Sequence, residues 1–192
     1  MYGKLSVMLE QAFHYKFGDC IKAVIDRYSV RKFCRSGDVL IGQGCRPDIL
    51  YFILKGIVMG FYLDESGKEV TKCFASENQF AGTESIFGAK KANFSVICLE
   101  DTLCMAIPVD IFSSTPEIRK EFNEILGNVI KPEVLKIENR QRNMFMLSAE
   151  ERYREFLTSN ASIANRIKQS YIASYIGIQP SSLSRIKRNI KK

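Results

Sequence analysis

The chain has 192 residues, 46% of them hydrophobic, so it can bury a substantial core as one domain or as two small ones. Its 28 basic residues exceed its 21 acidic residues, which gives a formal net charge of +7. The excess lies at the C-terminus, where residues 156–192 contain seven Lys or Arg and no acid. This asymmetry favours a neutral body followed by a basic, nucleic-acid-binding module, and we therefore predict two folded parts.

Several classes of function lack their motifs in this sequence. There is no long apolar run and no signal peptide at the N-terminus, so we expect a cytoplasmic protein that does not bind membranes. Neither a phosphate-binding G-x-x-x-x-G-K loop nor a G-x-S-x-G motif is present, and we expect no enzymatic activity.

The cysteines are scattered along the chain, and His14 is the single histidine. Because no C-x-x-C pair occurs, we predict no metal site. We expect free thiols, most of them small core residues, with redox sensing by one or two of them as the alternative. The six are Cys20, Cys34, Cys45, Cys73, Cys98 and Cys104.

The first 108 residues change pattern near Ser29. Residues 5–27 predict one or two short helices broken near Gly18. From Ser29 to Pro108, short apolar runs alternate with turn residues, which is typical of many closely spaced strands. The segment ESGK at residues 65–68 predicts a hairpin turn, and the whole region favours a β-sandwich or barrel.

A long amphipathic helix is predicted after residue 114, with Thr115 and Pro116 at its start. Its apolar residues recur at spacings close to three and four and define one seam. We predict that Pro132 kinks or breaks the helix. The seam either pairs with a second copy of the chain or lies on the sandwich of its own chain. The predicted dimer interface comprises Ile118, Phe122, Ile125, Val129, Leu135 and Ile137.

The last 45 residues predict three further helices. Ser148 and Glu151 form an S-x-x-E capping box, which opens a helix through about Thr158. Residues 168–190 then read as two short helices joined by a tight turn, with Gly177 as the C-terminal cap of the first and Pro180 as the first residue of the second.

The second of these helices has a narrow apolar edge, Leu183 and Ile186, and is otherwise polar or basic. Hydroxyl groups and cations of this kind contact phosphate oxygens and base edges in a DNA groove, although a solvated amphipathic helix is the alternative. The predicted DNA-binding residues are Gln169, Ser170, Pro180, Ser181, Ser182, Ser184, Arg185, Lys187 and Arg188.

The segment from Lys168 to Ile190 resembles the helix-turn-helix of the Crp/Fnr family of bacterial transcription regulators. The sequence YIASYIGIQPSSLSRI is especially similar to the version found in Bacteroidetes members. The resemblance implies base reading by Pro180, Ser181 and Arg185. The first two positions depart from the Arg–Glu pair of the best-known members, so the usual operator of the family is not expected here.

The segments SGDVLIGQG, LYFILKGIVMGFYLDESGKEV, QFAGTESIF and LEDTLCMAIP resemble, in that order, the cyclic-nucleotide-binding jelly roll of the same family. This resemblance places an effector pocket at Gly82, Thr83, Glu84, Ala92 and Asn93. Thr83 replaces the ribose-binding Glu, while Ala92 and Asn93 replace the phosphate-binding Arg-Ser pair. We expect no cofactor and no cyclic AMP binding in the familiar mode, because a buried phosphate needs a cation. We expect the jelly roll to bind another small effector, or no effector.

Together these features predict an α+β fold in three parts. An effector-domain jelly roll spans residues 1–114, a dimerisation helix 115–147 and a helix-turn-helix domain 148–192. The resemblance implies a homodimeric transcription regulator whose partners are double-stranded DNA and, as a further expectation, RNA polymerase. The alternative function is a module that binds a cyclic nucleotide or metabolite and acts through protein partners.

Overall fold

The computed structural model describes residues 3–190 and all of their side chains except those of residues 128–133. The fold is α+β, as predicted, with an antiparallel β-sandwich and several helices. Helix α1 (Leu5–Phe13) and helix α2 (Asp19–Tyr28) precede the strands and are separated at Gly18, which confirms the predicted break.

Eight strands form two four-stranded sheets in the described part of the chain. The strands are β1 (Val30–Cys34), β2 (Val39–Ile41), β3 (Ile49–Lys55), β4 (Val58–Leu63), β5 (Glu69–Ala75), β6 (Phe80–Ala81), β7 (Ser95–Cys98) and β8 (Thr102–Pro108). Their order is β1-β8-β3-β6 in one sheet and β2-β7-β4-β5 in the other. One 3₁₀ helix, Thr83–Phe87, lies between β6 and β7, and another, Val109–Ser113, follows β8.

The turn between β4 and β5 confirms the predicted hairpin. The Asp64 carboxylate accepts hydrogen bonds from the backbone N–H groups of Ser66, at 2.9 Å, and Lys68, at 3.0 Å. The Ser66 hydroxyl donates to the same oxygen, and these bonds lower the pKa of Asp64. Gly67 has φ +79°, a conformation that side chains with a Cβ rarely adopt.

A large hydrophobic core lies on the outer face of the β1-β8-β3-β6 sheet. Phe52 and Ile107 are fully buried there against α1 and α2, where Ile21 is also fully buried. Burying an aliphatic or aromatic side chain of this size contributes about 1.5–3 kcal/mol to stability. The two N-terminal helices are therefore integral to the sandwich.

Helix α3 (Pro116–Met146) follows the sandwich and is continuous for 31 residues. Of the two predicted effects of Pro132, a break is wrong, since the helix extends on both sides of it, and a kink stays a prediction. Loss of one backbone donor is a local defect that the flanking turns can tolerate in a long helix. The remaining helices are α4 (Ala149–Ser159), α5 (Gln169–Tyr175) and α6 (Pro180–Ile190).

The chain divides into two compact units. The first contains the chain up to Gly60 together with Phe74–Glu133, and the second contains Phe61–Cys73 and the chain from Val134 onward. None of the helices in the described residues is long and apolar enough to cross a membrane.

Candidate nucleic-acid interface

The turn between α5 and α6 is built by local hydrogen bonds. Gly177 has φ +73°; its N–H donates to the Ser174 carbonyl at 3.1 Å, and the Ile178 N–H donates to the Ala173 carbonyl at 3.0 Å. These two bonds are those of a Schellman motif, in which a glycine in the left-handed region ends a helix. Pro180 then begins α6, as predicted.

Buried aliphatic side chains anchor the two helices. Ile172 and Ala173 of α5 are fully buried, and Leu183 of α6 is 1% exposed. Ser184 turns its hydroxyl back to the Pro180 carbonyl, at 3.0 Å. The apolar edge of α6 is therefore the part of the helix that anchors it within the second unit, and most of its other side chains are exposed.

The predicted DNA-contacting side chains are accessible on the surface of this unit. Seven are exposed and two, Ser182 and Lys187, are half-buried. The exposed ones are Gln169, Ser170, Pro180, Ser181, Ser184, Arg185 and Arg188. This surface offers hydroxyl groups and positive charge, both of which can contact DNA. The segment that carries it, from residue 156 onward, contains no Asp or Glu.

Two arginines, which the sequence did not single out, cap the C-terminal end of α5. Arg140 donates from Nη2 to the Tyr175 carbonyl at 3.0 Å, and Arg152 donates from Nε to the Ile176 carbonyl at 2.9 Å. Arg152 also donates from Nη1 to the Leu147 carbonyl at 2.7 Å. Cations here satisfy carbonyls that lack helical partners and oppose the negative end of the helix dipole.

Further contacts hold α5 from other segments of the same unit. The Thr71 N–H, on β5, donates to the Ser174 hydroxyl at 2.9 Å. The ring of Phe156 meets that of Tyr175 edge-on, with centroids 5.5 Å apart. Burial raises the pKa of the Tyr175 hydroxyl, so the tyrosine is neutral at physiological pH.

The capping box at the start of α4 is confirmed. The Ser148 N–H donates to Glu151 Oε2 at 2.8 Å, and the Glu151 N–H donates to Ser148 Oγ at 3.3 Å. These bonds lower the pKa of the Glu151 carboxyl, the side-chain bond from Ser148 being the largest cause.

The predicted dimer seam divides into two parts with different surroundings. Ile118 is 4% exposed and Ile125 6% exposed, because both pack into the core of their own chain. Phe122 stacks on Phe112 with centroids 4.1 Å apart. The first turns of α3 therefore pack on the sandwich of their own chain, which is the alternative to dimer pairing that the sequence left open.

The later part of the seam faces solvent. Leu135 is 53% exposed and Ile137 63% exposed, while the side chain of Val129 lies outside the described residues. The dimer interface stays a prediction, and it now depends on the helix beyond Glu133.

The predicted effector residues come together in the sandwich. Glu84 accepts two hydrogen bonds from Asn93, one from the backbone N–H at 3.0 Å and one from the side-chain amide at 2.8 Å. Ala92 is buried, and its backbone exchanges hydrogen bonds with Cys45 and Gly44. The carboxylate of Glu84 thus occupies the N–H donors of Asn93, which stands at a position where the resemblance placed a phosphate contact.

Gly82 and Thr83 lie at the start of the 3₁₀ helix that carries Glu84. Gly82 has φ +80°, a conformation that residues with a Cβ rarely adopt, and a Cβ there would also lie 3.0 Å from the backbone carbonyl oxygen of Ile49, so both features favour glycine. Thr83 is half-buried. Among the described residues, no group of three or more His, Cys, Asp or Glu is placed to hold a metal ion.

Comparisons with known proteins agree with this architecture. Residues 31–116 match the family profile of the cyclic nucleotide-binding domain. The c-di-GMP responsive global regulator CLP of Xanthomonas campestris is similar in structure, with 13% identity, a TM-score of 0.69 and coverage of 86% of this chain and 87% of that chain. FixK2 from Bradyrhizobium japonicum has 16% identity, a TM-score of 0.69 and coverage of 85% and 84%.

A CRP/FNR-family transcriptional regulator from Thermus thermophilus has 17% identity, a TM-score of 0.67 and coverage of 84% of this chain and 86% of that chain. No curated protein sequence matches this chain. The chain thus shares the fold of these three proteins, one of which is a CRP/FNR-family member, with a sandwich that matches the cyclic nucleotide-binding domain and is followed by helices.

Proposed function

We propose that the chain is a sequence-specific transcription regulator that binds double-stranded DNA as a homodimer and reads bases with α6. The observation that carries this proposal is the surface of α6. Leu183 anchors the helix, while Ser181, Ser184, Arg185 and Arg188 are exposed and no acid interrupts them. A basic helix held by a preceding helix and a tight turn is the element that enters a major groove in helix-turn-helix proteins.

Arg185 is the residue to which we assign base recognition. It lies one helical turn after Ser181, and its planar guanidinium can donate two hydrogen bonds to guanine O6 and N7. Such a bidentate contact is worth about 1–3 kcal/mol of discrimination against the wrong base. Lys187 and Arg188 lie nearer the C-terminal end of the helix, where backbone phosphates are the expected partners.

The exposed part of α3 supplies the dimer contact in this proposal. Leu135 and Ile137 present apolar surface that a second copy of the chain would cover. Two-fold pairing would place the two reading helices about one turn of DNA apart, roughly 34–36 Å. RNA polymerase is a further partner under this proposal, since a regulator of this class acts on transcription.

The effector domain, under this proposal, does not use cyclic AMP in the familiar mode. The Glu84 carboxylate is hydrogen-bonded to both amide donors of Asn93, so a phosphate at that place would meet a like charge and lose those donors. A different small effector, or none, is consistent with such a site.

The experiment that tests the proposal measures binding of the pure protein to duplex DNA across a salt series. We expect binding that weakens with salt, with a log–log slope of about −0.9 for each phosphate neutralised. The double variant Arg185→Ala/Arg188→Ala should lower the affinity, whereas Lys90→Ala/Lys91→Ala, which removes two exposed cations from the sandwich, should not. Absence of salt-dependent binding, or an equal loss in both variants, would favour the alternative of a module that acts through protein partners.

A further inference from the structure

Three cysteines that are distant in the sequence meet in the interior of the sandwich. Cys34 ends β1, Cys98 ends β7 and Cys104 lies within β8. They are 2%, 1% and 0% exposed. Cys34 is close enough to Cys98 and Cys104 to influence the titration of both. All three are free thiols, so the sandwich contains a reduced cysteine cluster.

The backbone brings Cys34 and Cys98 together across the two sheets. The turn after Cys34 is closed by a hydrogen bond from the Asp38 N–H to the Arg35 carbonyl, at 3.0 Å. This turn then pairs with Cys98, whose carbonyl accepts from the Gly37 N–H at 2.8 Å and whose N–H donates to the Asp38 carbonyl at 2.9 Å. Cys98 is therefore fixed beside the short turn that begins at Cys34.

Cys104 is placed differently. In the antiparallel register of β1 and β8, Cys34 pairs with Thr102 and Cys104 with Lys32, so the two cysteines are diagonal neighbours. Diagonal residues on adjacent strands are about 7–8 Å apart, which exceeds the usual Cα separation of a disulfide. The Cys104 thiol instead lies 3.6 Å from the Lys32 carbonyl and donates to it.

We propose that Cys34 and Cys98 form a redox-active pair that a small neutral peroxide, such as hydrogen peroxide, converts to a disulfide linking the two sheets. The Cys34 thiolate attacks one peroxide oxygen, the O–O bond breaks, and the departing hydroxide leaves as water after taking up a proton. Cys34 is then a sulfenic acid. The sulfur of Cys98 attacks the Cys34 sulfur, the S–O bond breaks, and a second water leaves. In total, two thiols and one peroxide give one disulfide and two waters.

Burial determines the selectivity of this reaction. It raises the pKa of Cys98 to about 11 and that of Cys104 to about 12, which keeps both as thiols. A buried pair also excludes bulky or charged oxidants. We therefore expect oxidation by hydrogen peroxide but not by glutathione disulfide while the protein is folded.

The experiment treats the folded, full-length chain with hydrogen peroxide, blocks the remaining thiols under denaturing conditions and maps disulfide-linked peptides by mass spectrometry. The expected product links Cys34 to Cys98 and is reversed by dithiothreitol. It should persist in Cys104→Ser and in Cys20→Ser/Cys45→Ser, which removes the two exposed thiols, and be lost in Cys98→Ser. Circular dichroism of each variant identifies loss of fold, and Cys98→Ala replaces Cys98→Ser if that variant unfolds.

Three outcomes would overturn the proposal. The first is that Cys34 and Cys98 stay reduced in the folded chain while Cys20 and Cys45 are oxidised. The second is that the linked peptides contain Cys104 in place of Cys98. The third is that the disulfide appears only in urea-unfolded protein. Iodoacetamide should alkylate Cys20 and Cys45 at least about tenfold faster than the buried three, which verifies that the chain is folded during the assay.

Discussion

The guanidinium of Arg140 lies over the ring of Tyr175, 4.3 Å from the ring centroid, and its Nη2 donates to the carbonyl of the same tyrosine at 3.0 Å. One side chain of α3 thus fixes both the ring and the backbone at the end of α5. Since α5 and its turn position α6, this pair supports the helix to which we assign base recognition.

Replacing Arg140 with alanine should destabilise the second unit. The change removes a cation–π contact and a charge-assisted hydrogen bond to a helix-terminal carbonyl, and we expect a loss of about 2 kcal/mol in the free energy of unfolding. Urea denaturation, followed by circular dichroism, measures it. Arg142→Ala, on an exposed neighbour, is the matched control and should change stability by less than about 0.5 kcal/mol. Equal stability of the two variants would contradict the role given to Arg140.

The dimer proposal predicts an effect of charge in the exposed part of α3. Leu135→Glu/Ile137→Glu should convert a dimer to a monomer, because two carboxylates would be buried between like-charged partners. Light scattering at micromolar concentration measures the mass, and circular dichroism verifies the fold. Phe87→Glu, at a residue of the sandwich that is 61% exposed, should stay dimeric. A monomeric wild-type chain, with and without DNA, would refute the proposal.

Acid should weaken the start of α4 through Glu151. The pKa of this carboxyl is lowered from its ordinary value of 4.5 by the bonds of the capping box, so its contribution is fully present above pH 4.5 and is lost as the pH falls through the lowered pKa. The stability difference between wild type and Glu151→Gln should therefore narrow below pH 4.5, because other carboxyls titrate alike in both. Thermal melts at several pH values measure it. A difference that stays constant to about pH 2, below the ordinary carboxyl range, would show that Glu151 is not stabilised as a carboxylate.

Calorimetry with cyclic AMP should show no tight binding. Thr83, Ala92 and Asn93 lack the cation that a buried phosphate requires, and Glu84 holds the nearby amides. A dissociation constant of micromolar or tighter, abolished by Asn93→Ala, would contradict this expectation.

Local signals predicted the boundaries of the C-terminal helices. The capping box of Ser148 and Glu151, the cap at Gly177 and the helix start at Pro180 each depend on residues within a few positions of one another. The periodicity of apolar residues identified the buried face of α3 but not the surface that covers it. Ile118 and Ile125 have a spacing that suits a dimer interface, and the same spacing suits a helix that packs on the sandwich of its own chain.

Contacts between distant residues were beyond the reach of sequence patterns. The bonds from Arg140 to Tyr175 and from Thr71 to Ser174 join residues 35 and 103 positions apart. The cysteines at positions 34, 98 and 104 are scattered in the sequence, and they come together through the register of β1 with β8 and through the hydrogen bonds of Cys98 to the turn after Cys34. The predicted break of α3 at Pro132 was wrong for the opposite reason. The local cost of a proline in a helix was outweighed by the helical turns on either side of it.

The measurement that tests the central claim most directly is selection of bound sequences from a pool of random DNA duplexes, by wild type and by Arg185→Ala. We predict that wild type enriches a two-fold symmetric sequence with half-sites centred about 10 base pairs apart. Arg185→Ala should lose preference at one position in each half-site, whereas Lys187→Ala should keep the sequence and bind all DNA more weakly. Failure of wild type to enrich any sequence would contradict the proposal that the chain is a sequence-specific regulator, and an unchanged preference in Arg185→Ala would contradict base reading by that arginine.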